Sequence, residues 1–287
     1  MLEVREKRNV ILKLGGSVIT NKGSTMFPLN GDEIWKSAQK FLRREVVKRI
    51  CLEIKDSLPD LGYLILVHGA GVFGHFPVSK FLEADKKQQE LVGWPLTSYS
   101  VLVKDTLLMN EMLSNGIPAI SIPPRSLFTI TKRDKDRNWV ANDASFDSEK
   151  IRSLIPRYVP ILFGDLAFDK DGNAAVLSGD TILYLCARDL GDVDLVACGT
   201  DVEGIFTDDP KKNPHARLID RIALSERRTL SPKESSNRDV NGGMSRKFGE
   251  LMSIAKLGIS SMVIDASRKG NISKVLKGEH VGTLIVP

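Results

Sequence analysis

The sequence predicts an α/β protein, a three-layer αβα sandwich with a mostly parallel central sheet. Two observations carry that prediction. Short apolar runs alternate with longer stretches of helical periodicity along the 287 residues, as in a sheet covered by helices on both faces. The runs also end repeatedly on glycine or acidic clusters, at the carboxyl ends of strands where such sheets bind ligands. A composition of 42% apolar and 27% charged residues is enough to bury one large core or two closely fused units.

Taken in order, Val10 to Leu14 reads as a buried strand that runs into Gly15-Gly16-Ser17. From Glu33 to Leu58 the apolar residues Ile34, Ala38, Phe41, Leu42, Val46, Ile50 and Ile54 recur at helical spacing. Tyr63 to Val67 is a second strand, ending on His68-Gly69-Ala70-Gly71. A helix over Thr97 to Asn115 is stopped by Gly116, and the strand Pro118 to Ile122 follows. A helix around Ser145 to Ile155 then precedes the strand Val159 to Phe163, which ends on Gly164-Asp165. A strand from Ala174 leads to Ser178-Gly179-Asp180, a helix runs to Gly191, and the strand Val193 to Cys198 ends in Gly199-Thr200-Asp201. Arg227 to Asn241 is polar with little periodicity, which predicts a mobile loop.

Composition excludes several function classes. The net charge of +5 arises from 41 basic and 36 acidic residues spread along the chain, a mild excess that suits small anionic substrates. Nucleic-acid binding is not expected, because no basic arm is present and only 6% of residues are aromatic. Cys51, Cys186 and Cys198 sit in apolar runs without CxxC spacing, so they read as buried hydrophobes rather than disulfides or zinc ligands. Residues 1–9 are too polar for a signal peptide, and no apolar run has the length of a membrane span. A soluble, cytoplasmic protein is expected.

Two familiar glycine motifs must be weighed. Gly69-Ala70-Gly71-Val72-Phe73-Gly74 fits the dinucleotide pattern GxGxxG, but no apolar strand precedes Glu90, where an acid would be due, and Pro77 interrupts the helix expected there. No Gly-Lys dipeptide occurs, which excludes a Walker A loop. Other glycines remain for phosphate binding: Gly15-Gly16-Ser17 before Val18, and Gly242-Gly243 before Met244, let backbone N–H groups approach an anion ahead of a helix. Each alone is equally a plain turn.

The lysines add weight. Phosphoryl transfer needs cations around the β- and γ-oxygens, where charge accumulates. Lys13 interrupts an apolar strand two residues before the first glycine turn, Lys22 follows that turn, and Lys247 lies one helical turn beyond Gly243. Singly each reads as a surface lysine; together they mark a phosphate site. His75, after Gly74, is placed to donate to a substrate phosphate, while His68 reads as an ordinary hydrogen-bonding residue. No second His, Cys or carboxylate stands at metal-ligand spacing, so no protein metal site is expected.

The motif order is Leu12-Lys13-Leu14-Gly15-Gly16-Ser17, His68-Gly69-Ala70-Gly71-Val72-Phe73-Gly74-His75, Gly164-Asp165, Ser178-Gly179-Asp180, Thr200-Asp201-Val202 and Gly242-Gly243-Met244-x-x-Lys247. It resembles the isopentenyl phosphate kinases of the amino-acid-kinase superfamily, over nearly the whole chain. The resemblance implies the amino-acid-kinase fold as a single domain over 1–287, with a phosphoryl-acceptor lobe at about 1–165 and an ATP-binding lobe at 166–287. It also implies transfer of a phosphoryl group from ATP to isopentenyl phosphate, with Mg2+ accompanying the nucleotide and a homodimer as the assembly.

Carried over residue by residue, Lys13, Lys22, His75, Asp180 and Lys247 would be catalytic. ATP would contact Lys13, Leu14, Gly15, Gly16, Ser17, Gly71, Thr200, Asp201, Gly243 and Lys247. The acceptor would contact Ala70, Gly74, His75, Gly164 and Asp165, with Phe73, Phe76, Tyr99 and Val103 as candidates for the wall around its tail. Asn21 and the Ala197-Cys198-Gly199 segment depart from the family's usual residues. Competing expectations on the same fold are a phosphonate kinase of the fosfomycin type, an amino-acid kinase and a nucleotide sensor.

Overall fold

The computed structural model describes residues 7–21, 27–82, 84–208, 210, 213–226 and 243–287. In chain order its elements are β1 (Arg8–Leu14), α1 (Gly16–Ile19), α2 (Gly31–Phe41), α3 (Arg44–Ser57), β2 (Leu61–His68), α4 (Val72–Phe81), α5 (Lys86–Gln88) and α6 (Trp94–Ser114). There follow β3 (Ala119–Ser121), β4 (Phe128–Arg133), β5 (Ala141–Phe146), α7 (Ser148–Arg152), β6 (Val159–Phe163), β7 (Asp165–Phe168) and β8 (Ala174–Leu177). The last elements are α8 (Gly179–Leu190), β9 (Leu195–Thr200), β10 (Arg221–Ala223), α9 (Gly243–Lys256), β11 (Ser260–Asp265), α10 (Asn271–Leu276) and β12 (Thr283–Val286).

Eight strands form the main sheet in the order β10-β12-β11-β9-β1-β2-β6-β3. All neighbours are parallel except β11 and β12. Because side chains alternate along a strand, β1 divides its residues between two cores. Val10, Leu12 and Leu14 join Val47, Ile50, Ile54, Ile264 and Ile272, packing α3 and α10 on one face. Ile11 joins Ile182, Cys186, Leu251 and Ala255, packing α8 and α9 on the other. Lys13 shares parity with Ile11, so it points to the α8/α9 face, opposite Val67 and Cys198 in register. A central β1, flanked by the parallel β2 and β9, brings the loops after all three strands to one edge.

Three expectations are corrected. The helix foreseen over 33–58 is broken into α2 and α3, because Leu42 leaves helical geometry to bridge Thr20, and Arg43 N–H donates to Ile19 O at 2.9 Å. The helix foreseen over 145–155 shrinks to α7, since residues up to Phe146 pair with β4 and the Asp147 carboxylate caps Lys150 N–H. Pro77 does not end a helix but lies buried inside α4. A second sheet, β5-β4-β7-β8, was not foreseen. It packs Phe128, Ile130, Ala144 and Ala167 against the α8/α9 core. The expected loop over 227–241 lies outside the described residues.

Candidate active site

The site begins with glycine loops in backbone contact. Gly69 N–H donates to Leu14 O at 2.9 Å and Gly15 N–H to Gly199 O at 2.8 Å, which ties together the loops after β1, β2 and β9. A Cβ on Gly16 would fall 2.4 Å from Gly71 N, and Gly71 itself has φ +58°. Neither position accepts a side chain without moving the backbone. Gly199 is constrained in the same way: a Cβ there would meet Ala266 Cβ at 2.7 Å and Lys13 O at 3.0 Å.

Against this floor stand two lysines on one carboxylate. Ser178 caps α8, its Oγ accepting from Thr181 N–H at 3.1 Å, and this places Asp180 in the first turn. Lys13 Nζ donates to Asp180 Oδ1 at 2.6 Å, and Lys247 Nζ, from α9, donates to the same oxygen at 2.9 Å. Lys13 is only 4% exposed. Burial pushes its ammonium below the ordinary lysine range, with Asp180 pulling the other way. Burial acts to raise the Asp180 carboxyl, but the two ammonium groups outweigh it and hold the acid ionised well below the usual range. Burial likewise works against the Lys247 ammonium, and Asp180 overcomes it and raises the group. Two cations share one anion, so the cluster keeps a surplus positive charge.

The helices bearing these groups are tied side to side. Thr181 Oγ1 donates to Glu250 Oε1 at 3.0 Å and accepts from Arg246 Nη2 at 3.1 Å, so α8 and α9 cannot slide apart without breaking polar contacts. Ser17 Oγ donates to Asp201 Oδ1 at 2.8 Å, linking the first glycine turn to the loop after β9. The Thr200 hydroxyl is engaged by its own loop, with Val202 N–H donating to it at 3.2 Å.

A cleft adjoins the lysine cluster. Ala70, Gly74, His75, Gly164, Asp165 and Gly179 line it, with Val78, Thr97, Val101, Leu166 and Val176 as apolar wall. The cluster meets the cleft at Gly179, where a Cβ would lie 3.2 Å from Lys13 Cε. His75 is the fourth residue of α4, its N–H donating to Gly71 O at 3.0 Å. Asp165 Oδ2 accepts from Ser98 Oγ and Arg125 Nη1, both at 2.9 Å, and burial pushes its carboxyl up to about 6.

The tail wall differs from expectation. Phe73 is fully buried and Val103 nearly so, in a separate cluster with Phe27, Ile34 and Phe41, against which Phe76 packs. Tyr99 is exposed and reaches Gly31 O at 3.4 Å. On helices of 3.6 residues per turn, Gly74, His75 and Val78 of α4 and Thr97 and Val101 of α6 face the cleft, and the named aromatics face away.

Sequence reading missed a group behind the loop. Lys104 of α6 has no exposed surface and donates to Gly69 O. Burial pushes its ammonium down to about 7, against the opposing pull of Asp105 and Asp165. Beside it, His68 Nε2–H donates to Asp105 Oδ1 at 2.9 Å, and the Ser121 hydroxyl donates to Asp105 Oδ2. His68 stacks on Phe163 at 5.1 Å between centroids, and burial, with Lys104 nearby, pushes its imidazole down to about 4. A signal existed: 104 and 105 fall in the stripe Thr97, Val101, Leu108, Met112, where an exposed charge is not expected.

The structure thus brings together Lys13, Ser17, Asp180, Asp201 and Lys247, and beside them Ala70, Gly74, His75, Gly164 and Asp165. Leu14 is core, contributing its carbonyl to Gly69. Gly243 opens α9, while Lys22 lies outside the described residues. Among the described residues no group of three His, Cys, Asp or Glu side chains is arranged to hold a metal ion.

A mostly parallel sandwich with glycine loops and a lysine-carboxylate-lysine cluster at its strand ends has the form of an ATP-dependent phosphotransferase. A model of the amino acid kinase family matches residues 8–265, and the chain belongs to that family. Within it, the chain is 34% identical over 287 residues to the isopentenyl phosphate kinase of Methanothermobacter thermautotrophicus, covering 96% of this chain and 98% of the relative. The isopentenyl phosphate kinase of Thermoplasma acidophilum is 28% identical, with 96% and 99% covered. A solved structure of an isopentenyl phosphate kinase superposes with a TM-score of 0.74 at 32% identity, covering 96% of this chain and 99% of that one.

Proposed function

We propose that this chain transfers the γ-phosphoryl group of ATP to isopentenyl phosphate, yielding isopentenyl diphosphate and ADP. The observation that carries the reading is the surplus-positive Lys13–Asp180–Lys247 cluster set against a cleft with His75 at one side and an apolar wall at the other. A phosphate monoester has its second pKa near 6, so the attacking oxygen is ionised at neutral pH and needs no general base. The barrier is then one of bringing two polyanions into line, which positioning and fixed positive charge lower.

In this reading Lys13 and Lys247 neutralise the β- and γ-oxygens of ATP, with Asp180 holding both ammonium groups toward them. Lys22 stabilises the transferring group, and His75 donates to the acceptor phosphate. Ala70, Gly74, Gly164 and Asp165 enclose the acceptor, whose tail lies along Val78, Val101 and Val176. Leu14, Gly15, Gly16, Ser17, Gly71, Thr200, Asp201 and Gly243 form the nucleotide side. The division of labour falls near residue 165, with the acceptor lobe before it and the ATP lobe after. The described residues do not form a metal cage; magnesium would arrive with the nucleotide, coordinated by phosphate and water oxygens. The reading includes a cytoplasmic location, for which the three buried, unpaired cysteines are the supporting observation, and a homodimer, which only the resemblance to the isopentenyl phosphate kinases suggests.

The test is ADP release with isopentenyl phosphate, dimethylallyl phosphate, fosfomycin, glutamate and N-acetylglutamate offered in turn. Turnover confined to the prenyl phosphates is expected. Turnover only with a carboxylate or phosphonate acceptor would overturn the reading.

A further inference from the structure

Two neighbouring residues of α6 grip the last residue of β2 and the first residue of the acceptor loop. Asp105 accepts from the imidazole of His68, and Lys104 donates to the carbonyl of Gly69. Beyond this grip the loop has little freedom: Gly71 abuts Gly16, and Gly71 O accepts from the N–H groups of Gly74 and His75 at 3.2 and 3.0 Å. The same helix supplies Thr97 and Val101 to the cleft wall.

We propose that Lys104 is a positioning residue for the acceptor: its buried ammonium fastens Gly69 and so sets the path of Gly69-Ala70-Gly71, from which α4 presents His75. The inference rests on the acceptor reading above. Burying an ammonium is costly, and an apolar chain of similar length fills such a site at lower cost when only packing matters. Asp105 offsets part of that cost by its charge, but its hydrogen bonds go to His68 and Ser121. The hydrogen bond that Lys104 makes is to the loop. Its surroundings are the carboxylates of Asp105, on its own helix, and Asp165, on β7, with the His68 imidazole on β2. Arg125 engages Asp165 from the other side. No part of Lys104 reaches solvent, so it acts on the acceptor through the loop and not by contact.

The experiment compares wild type, Lys104→Met, Lys104→Gln and Asp105→Asn in steady-state assays that vary isopentenyl phosphate and ATP separately. Lys104→Met should raise KM for isopentenyl phosphate at least tenfold while KM for ATP stays within threefold. Asp105→Asn is isosteric, weakens both the charge that favours Lys104 and the hold on His68, and should raise the same KM about threefold; Lys104→Gln, which shortens the reach to Gly69 O, should raise it at least threefold and decides the matter if the methionine variant does not fold. Equal changes in both KM values, or no change in any variant, overturn the role of Lys104. A wild type that fails to turn over isopentenyl phosphate overturns the acceptor reading instead, so the two failures are distinct.

Discussion

The molecule buries lysine beside carboxylate in two places, one on each side of the glycine loops, and the two clusters differ in charge balance. In front, Lys13 and Lys247 share Asp180, and a net positive charge is left over beside the cleft. Behind, Lys104 lies between Asp105 and Asp165, with a neutral His68 alongside, and its positive charge is matched from within. Burial keeps Lys104 from any ligand, whereas the Lys13–Asp180–Lys247 cluster meets the cleft at Gly179 with charge to spare. Removing one partner of either cluster leaves the remainder uncompensated.

The largest effect is expected at the front. Asp180→Asn leaves two ammonium groups facing each other and no longer aimed, so kcat should fall about 100-fold, the scale of losing a fixed electrostatic contact in a transition state. KM for isopentenyl phosphate should move less than threefold; a loss confined to KM would place Asp180 on the acceptor side and break the comparison. Next comes the acceptor side itself. His75→Ala should raise KM for isopentenyl phosphate at least tenfold with kcat within threefold, about 1.4 kcal/mol of ground-state binding. Unchanged kinetics would remove His75 from the site.

The smallest effect sharpens the account of the rear cluster and is read in stability. His68 takes its proton near 6.5 when unfolded and near 4 when folded. Between those values the unfolded chain binds more protons, so acid favours unfolding, by up to about 3 kcal/mol from this group. Asp165, raised to about 6, acts in the opposite direction between 3.8 and 6 and offsets part of the loss. Comparing thermal melts at pH 7 and pH 5 isolates the histidine: wild type should lose more stability on acidification than His68→Gln. Equal losses would mean that the buried imidazole is already charged.

What was legible in the sequence follows the same division. Lys13 is conspicuous because a strand alternates and a lysine in Val10-Ile11-Leu12-x-Leu14 has no solvent face to occupy. Lys104 and Asp105 are no less out of place, but α6 is 21 residues long and carries polar residues around much of its circumference, so a charge in its apolar stripe does not stand out. In the main sheet β1, β2, β3, β6 and β9 were readable as short apolar runs, whereas β10, β11 and β12 were not foreseen. Of the smaller sheet only β8 was foreseen, as a strand from Ala174: β4 and β5 are partly exposed and carry Thr, Lys, Asn, Asp and Ser, a composition shared with loops. The cleft wall was misread for a third reason. Phe73 and Phe76 adjoin His75 in sequence, yet a helix turns them about its axis into a different cluster.

The contact between Gly16 and Gly71 has a consequence for how such an enzyme can change. Main chain meets main chain there with no side chain between, so the spacing of the nucleotide loop and the acceptor loop has no rotamer by which to vary. Donor and acceptor are held on something closer to a fixed gauge than an adjustable one. Val78, Val101 and Val176, which line the cleft and in the proposed reading its tail side, stand apart from that gauge, on α4, α6 and β8. In that reading, substitution among them would alter which tail is admitted while the interval across which the phosphoryl group travels stays as it was.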